Sequence, residues 1–287
     1  MQNNISDFVK PKLNARTIRW FLKRPRLYLE LWRFVISTLL NQKPPASTAG
    51  VAEDWCAERA ISTTDAILRI TRSPMPEPVS RRFSAVFAEA KRIAEACPVG
   101  MGGAPDLDLV YWLTEHVQAT RVVETGVAYG WSTLIILLSI AQRNGARLVS
   151  SDRPYPNRNN EPYVGCIIPN HLKSHWKILP YADREAVPRV LRTFPSIDLC
   201  HYDSDKSYAG KRWSYARLWT ALRPGGVFIS DDVSDDLAFH DFCAEVRAEP
   251  VVIRTALDYC VEMGIHPTSV RKVYPGEIKY AGVLIKP

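Results

Sequence analysis

The 287-residue chain has no Cys-x-x-Cys pair among its six cysteines. Cys56, Cys97, Cys166, Cys200, Cys243 and Cys260 are scattered, which argues against structural zinc and a disulfide framework and leaves reduced, buried thiols as the expectation. No apolar run approaches the roughly 20 residues of a membrane-spanning helix, and the greasiest stretch is broken by Glu30 and Arg33. Met1 to Lys12 lacks the apolar core of a secretory signal. Repeats and low-complexity tracts are absent. Net charge is missing too, once the first 43 residues are set aside. That stretch holds nine Lys and Arg against Asp7 and Glu30, and the remainder has 28 bases and 28 acids. A neutral body argues against a phosphate-tracking face for nucleic acid.

What is present begins with a basic, greasy N-terminal appendage. Trp20, Phe21, Leu22, Leu27, Leu29, Leu31, Trp32, Phe34, Val35, Ile36, Leu39 and Leu40 interleave with Arg16, Arg19, Lys23, Arg24, Arg26 and Arg33. Three readings stay open: a helix packed on the protein's own core or a sister subunit, residues 16–40 docked on an anionic membrane surface, or an organellar targeting segment. Localisation follows as cytoplasmic, or peripheral at the inner face of a membrane. Pro44 to Gly50 reads as a linker. The chain divides into the appendage (1–43), a helical lead-in (44–98) with helical periodicity over 51–72 and 80–96, and a main domain (99–287).

Beyond a helix at about 106–118, strand candidates at 121–125, 147–151, 176–180, 196–202, 226–230, 250–254 and 279–285 alternate with helices. The pattern predicts an α/β, Rossmann-like doubly wound fold, with a mostly parallel seven-stranded sheet and helices on both faces. A loop-rich stretch around Gly264, Pro267, Pro275 and Gly276, with room for a short helix after Asp258, leaves open whether the last strand is antiparallel. Arg121-Val-Val-Glu-Thr-Gly-Val-Ala-Tyr-Gly-Trp-Ser132 reads as a buried strand, a glycine turn and an apolar helix. Gly126 and Gly130 either admit a ligand or only allow close packing. Glu124 is expected at the strand's end, where a carboxylate suits a cofactor with hydroxyls or an ammonium better than a pyrophosphate. Asp152 ends the second strand roughly 25 residues on, where an acid can meet a ribose diol.

Two acidic clusters follow at later strand ends: Ile197-Asp-Leu-Cys-His-Tyr-Asp-Ser-Asp-Lys-Ser-Tyr208 and Gly226-Val-Phe-Ile-Ser-Asp-Asp-Val233. Asp203, Asp231 and Asp232 would converge there, and oxygen-only ligands suit Mg²⁺, Mn²⁺ or Ca²⁺. The competing reading is that the Asp-Asp pair caps the next helix.

Together these motifs resemble class I S-adenosylmethionine (SAM)-dependent methyltransferases, and more narrowly the metal-dependent O-methyltransferases of the catechol and macrolide-sugar branches, over roughly Val99 to Pro287. Glu124-Thr-Gly-Val-Ala-Tyr-Gly-Trp-Ser132 is similar to their E-x-G-x-x-x-G-x-S loop. Gly145-Ala-Arg-Leu and Asp152 match the second strand, and Asp203-Ser-Asp-Lys-Ser-Tyr208 resembles the D-G-D-H-S-Y element of the sugar branch. The resemblance implies that Glu124, Gly126, Gly130 and Ser132 line the methionine part of SAM, that Trp131 also binds the cofactor, that Asp152 holds the ribose, and that Asp183 lies beside the adenine. It further implies Asp203, Asp231 and Asp232 as metal ligands and Lys206 as general base; the sugar branch has histidine at that place and the catechol branch lysine. The acceptor would be a hydroxyl on a small molecule or sugar, with Tyr155, Tyr163, Tyr208 and Trp213 available to stack on it and residues 153–170 as a lid or a surface loop. Homo-oligomerisation is left open. Three rivals remain: a non-catalytic SAM-binding or membrane-associated interaction protein on the same fold, an NAD-dependent oxidoreductase, which lacks its G-x-G-x-x-G, and a nucleic-acid methyltransferase.

Overall fold

Alternate residues of each strand enter two different hydrophobic clusters, as a sheet covered on both faces requires. Val122, Leu148, Leu199, Val227, Ile229 and Ile253 join one cluster, and Val123, Val149, Cys200, Phe228, Val252 and Leu284 the other. The computed structural model describes residues 14–39, 48–256 and 278–287. The strands are β1 (Arg121–Thr125), β2 (Arg147–Ser151), β3 (Trp176–Leu179), β4 (Ile197–Tyr202), β5 (Leu222–Ser230), β6 (Val251–Ala256) and β7 (Ile278–Ile285). Their order is β3-β2-β1-β4-β5-β7-β6. β7 runs antiparallel to both β5 and β6, whereas the other described strand pairs are parallel, which resolves the orientation that the spacing left open. The stretch 257–277, with Cys260 and the loop before β7, lies outside the described residues, as do Met1 to Leu13 and residues 40–47; of the expected linker Pro44 to Gly50, the last three residues belong to a helix that runs over Thr48–Ala57.

The helices are α1 (Ala15–Leu22), α2 (Tyr28–Leu39), α3 (Thr48–Ala57), α4 (Thr63–Thr71), α5 (Val79–Arg82), α6 (Ser84–Glu95), α7 (Leu107–His116), α8 (Trp131–Ile140), α9 (Asp183–Thr193), α10 (Tyr208–Ala221) and α11 (Ala238–Val246). α8 is apolar almost all round because it is covered on all sides, packed against α7 and β2. α4, α6, α7 and α8 supply the first cluster, whereas α9, α10 and α11 supply the second.

The periodicity over 51–72 is interrupted in the structure. Ile61 makes a parallel bridge to Ile253, accepting from Arg254 N–H and donating its own N–H to Val252 (both 3.0 Å), and Ser62 then caps α4. A long-range pairing on the outer edge of β6 thus breaks what local propensity would continue. β5 also starts four residues before its expected position, taking in Arg223-Pro-Gly-Gly226, with a register shift opposite Ile197 and Leu199.

The edge of the sheet where β1 and β4 begin is tied by Asp198. Its carboxylate accepts the backbone N–H groups of Thr120 and Arg121 (2.9 Å each) and the Arg223 guanidinium (2.8 Å). Burial alone would raise its pKa, but these donors outweigh it and hold the group down at about 2.

Candidate active site

At the opposite edge, the order of strands reverses between β1 and β4, where open α/β sheets leave a crevice for ligands. Gly126, leaving β1 with φ +84°, donates its N–H to Ser151 (2.8 Å). A Cβ on it would meet the Asp203 carbonyl oxygen at 2.0 Å, so the glycine turn and the loop after β4 are pressed together. Gly130 (φ +102°) starts α8, and a Cβ there would lie 3.1 Å from Gly165 Cα and from the Ile168 side chain. Both glycines make room for the chain itself.

Asp152, at the tip of β2, is nearly buried, and its Oδ2 accepts N–H groups of Val127 (2.9 Å) and Ala128 (2.7 Å) from the glycine loop. Burial raises its pKa to about 6, and the two N–H donors only partly offset it. If the carboxylate also accepts the cofactor's ribose hydroxyls, affinity for S-adenosylhomocysteine should be flat between pH 7 and 8 and fall by up to about tenfold per pH unit below 6. Calorimetry across that range checks this. Asp152→Asn should bind weakly with a flat profile, and a flat wild-type profile would remove Asp152 from cofactor binding.

The other expected cofactor residues are turned inward. The Glu124 carboxylate is fully buried inside the sheet rather than open at its edge. Its Oε2 accepts from Thr133 (2.6 Å) and Ser150 (2.7 Å), and its Oε1 has no hydrogen-bond partner. Trp131 is buried beside Phe87, with ring centroids 6.0 Å apart, and Ser132 is buried in the first turn of α8. Asp183 accepts the hydroxyls of Tyr202 (3.0 Å) and Ser204 (2.6 Å), bracing the start of the loop after β4.

The acidic clusters do gather at this edge, as an ion-pair network. Lys206 Nζ bridges the carboxylates of Asp203 and Asp232, at 2.7 Å from Asp232 Oδ2. Lys279 on β7 adds a second ammonium 3.6 Å from Asp232 Oδ1. Asp231 Oδ2 faces His201 Nε2 at 3.3 Å, and His201 Nδ1 stands 3.7 Å from Glu124 Oε1. Burial disfavours charge on Lys206, but its two carboxylates outweigh that and hold the ammonium well above the ordinary lysine range. Burial likewise disfavours charge on His201, yet Asp231 and Glu124 lift its pKa to about 10. Burial and the neighbouring Asp231 and Asp232 raise Asp203, whereas Lys206 and Lys279 overcome burial and lower Asp232. Asp232 sits at φ +50°, a strained placement of the kind that clusters at functional sites. Buried Lys211 holds it there by donating to its carbonyl oxygen (2.8 Å).

The donor chemistry suits a hard cation, but the arrangement does not present a metal-ligand set. Among the described residues no three His, Cys, Asp or Glu side chains are grouped to hold an ion, and Lys206 stands between two of the three expected ligands. The sequence reading passed over His201 and Lys279. A titratable residue inside the apolar run of β4 was a usable signal for the first. The second reaches the site only because β7 inserts beside β5, which nothing local announces.

Of the aromatic residues considered for the acceptor, Tyr155 lies at this edge. Burial and the nearby Asp152 and Asp203 carboxylates push its phenol up. Tyr163 packs against the first cluster. Tyr208 donates to Asp241 (2.8 Å), and Trp213 is covered by the guanidinium groups of Arg217 (3.9 Å) and Arg184 (4.8 Å). Residues 153–170 do not wander over the surface: Gly165 N–H donates to Ala128 (2.9 Å), and Ile167 and Ile168 are buried against the glycine loop.

Residues 123–233 match the family model described as a methyltransferase domain. No curated protein sequence matches the chain. Among solved structures, an O-methyltransferase from Bacillus cereus in complex with S-adenosylhomocysteine superposes with a TM-score of 0.53 at 14% identity, over 78% of this chain and 98% of that one. A protein from Klebsiella pneumoniae described as a candidate O-methyltransferase gives 0.52 at 16% identity, over 74% and 91%. The O-methyltransferase TomG from Streptomyces achromogenes, involved in tomaymycin synthesis and solved with SAM, gives 0.51 at 15%, over 73% and 96%. At such identities the superpositions speak for the fold. With the sheet order, they bear out the class I fold, and residues 123–233 are what is similar to a methyltransferase domain.

Proposed function

We propose that the protein transfers the SAM methyl group to a hydroxyl of a small-molecule acceptor. What carries the reading is the contact between Gly126 and Asp203, which puts the glycine loop and the Asp203–Lys206 segment side by side at the switch point of the sheet. The S–CH₃ bond would break as the O–CH₃ bond forms in line, S-adenosylhomocysteine would leave, and the acceptor's proton would pass to Lys206 Nζ. Lys206 must first lose the proton that its two carboxylates hold on it, so acceptor binding has to loosen that ion pair. A small-molecule acceptor accords with the role in tomaymycin synthesis of the Streptomyces enzyme; whether it is a sugar is left to assay.

Asp203, Asp231 and Asp232 would serve Mg²⁺, Mn²⁺ or Ca²⁺ only after displacing Lys206, so metal assistance is read by experiment. The test incubates the purified chain with SAM bearing a labelled methyl group and a panel of phenols, sugars and other hydroxyl compounds, with each divalent ion and with a chelator. Label on an acceptor oxygen supports the proposal, and loss of transfer with the chelator adds the metal. S-adenosylhomocysteine binding with no transfer to any acceptor would favour the non-catalytic reading, toward which the bridged Lys206 ammonium points.

A further inference from the structure

The N-terminal helices have one face committed to the domain and another that none of the described residues covers. On the inner side Trp20, Phe21 and Leu27 are buried with Leu31 and Phe34 against them. Arg24 and Arg26 grip Glu161 (2.8 and 2.5 Å), Arg33 pairs with Glu185 (2.6 Å), Glu30 pairs with Arg153 (2.9 Å), and Asn157 donates to the Thr17 hydroxyl (3.1 Å). The hairpin is therefore strapped to the loop after Asp152 and to the first turn of α9, both beside the candidate site.

The outer side is apolar. Ile18, Leu22, Tyr28, Leu29, Trp32 and Ile36 are six of the ten large hydrophobic side chains exposed among the described residues, so the exposure is concentrated and not scattered. Leu29, Trp32 and Ile36 follow one another by three and four residues along α2 and form a single stripe, with Trp32 65% exposed at its centre. Arg16, Arg19 and Lys23 are exposed on α1 and at its end, alongside Ile18 and Leu22, and α1 contains no acid.

We propose that this face seats the protein on an anionic lipid surface. Apolar side chains entering the acyl boundary beside bases that meet anionic headgroups are the two contributions that hold an interfacial helix. A second copy docked through the same face would bring two basic appendages together, since the first 43 residues hold nine bases against two acids. No described helix is long and apolar enough to cross a membrane, so the contact is peripheral, and the strap's ion pairs orient the candidate site near the lipid.

Sedimentation of the full chain with vesicles of phosphatidylcholine alone, and of phosphatidylcholine mixed with phosphatidylglycerol, tests this. Binding is expected to the anionic vesicles only, weakened by salt, and reduced about fivefold for each of Arg16→Gln, Arg19→Gln and Lys23→Gln. Leu29→Ser/Trp32→Ser/Ile36→Ser should lose it while melting temperature and S-adenosylhomocysteine affinity stay at wild-type values, since those side chains face outward. Absence of wild-type binding to anionic vesicles at low salt would overturn the proposal, as would equal binding by the triple variant. A dimer in light scattering that the triple variant abolishes, without vesicle binding, would assign the face to a second copy.

Discussion

Lys206→Ala is expected to lower methyl transfer roughly 10²- to 10⁴-fold, the usual worth of a positioned general base, while leaving S-adenosylhomocysteine affinity within about twofold. Two roles fit the geometry: a base that releases its proton when acceptor binds, or a fixed positive charge between Asp203 and Asp232. Lys206→Arg separates them, because a guanidinium keeps the charge but does not deprotonate in a protein. A base predicts an arginine variant as inactive as the alanine one; a charge predicts substantial recovery. Full activity in Lys206→Ala would remove the residue from both roles. Single-turnover rates at saturating SAM read these outcomes without interference from cofactor binding.

Gly126→Ala should be the most damaging single substitution at this edge. The added methyl would overlap the Asp203 carbonyl group at backbone positions that cannot swing away, and the residue would be held at φ +84°. The cost should reach about 3 kcal/mol or more, combining backbone strain with the forced separation of β1 and β4. Gly145→Ala is the natural control. Gly145 has a similar φ of +71° but nothing within 4 Å of a Cβ, so it should lose only about 1 kcal/mol. Denaturant melts compare the two directly, and S-adenosylhomocysteine binding should vanish in the first variant and persist in the second. Equal melting points would mean that the contact between Gly126 and Asp203 is not tight.

Much of the architecture was legible because it is written in short-range pattern. The β-branched pair Val122 and Val123 between a polar start and a glycine marks β1 without ambiguity, and the uninterrupted apolar run of α8 announces a helix buried on every side. Asp152, Asp203, Asp231 and Asp232 lie at the strand ends where the pattern puts them, since strands that alternate with helices run parallel and bring their ends together. Where side chains point was not legible. Glu124 occupies the motif's acidic position, yet its carboxylate turns into the sheet toward Thr133 and Ser150. Periodicity assigns a residue to a face but says nothing of which hydroxyls wait there.

The appendage shows the same division. Its basic, apolar composition left own-core packing and lipid contact as alternatives, whereas the folded hairpin assigns Trp20, Phe21 and Leu27 to its own packing and leaves Trp32 outside. By itself the sequence determined a doubly wound sheet, a glycine loop at its first turn and a carboxylate-rich set of strand ends on the same edge, because each follows from local residue chemistry and a period of two or 3.6. Only the tertiary structure decided that β7 enters antiparallel and brings Lys279 to Asp232. It also decided that His201 lies between Glu124 and Asp231, and that Lys206 stands where a cation was expected. These are pairings between residues up to about 75 positions apart, and their energies depend on burial and distances that exist only once the chain has closed on itself.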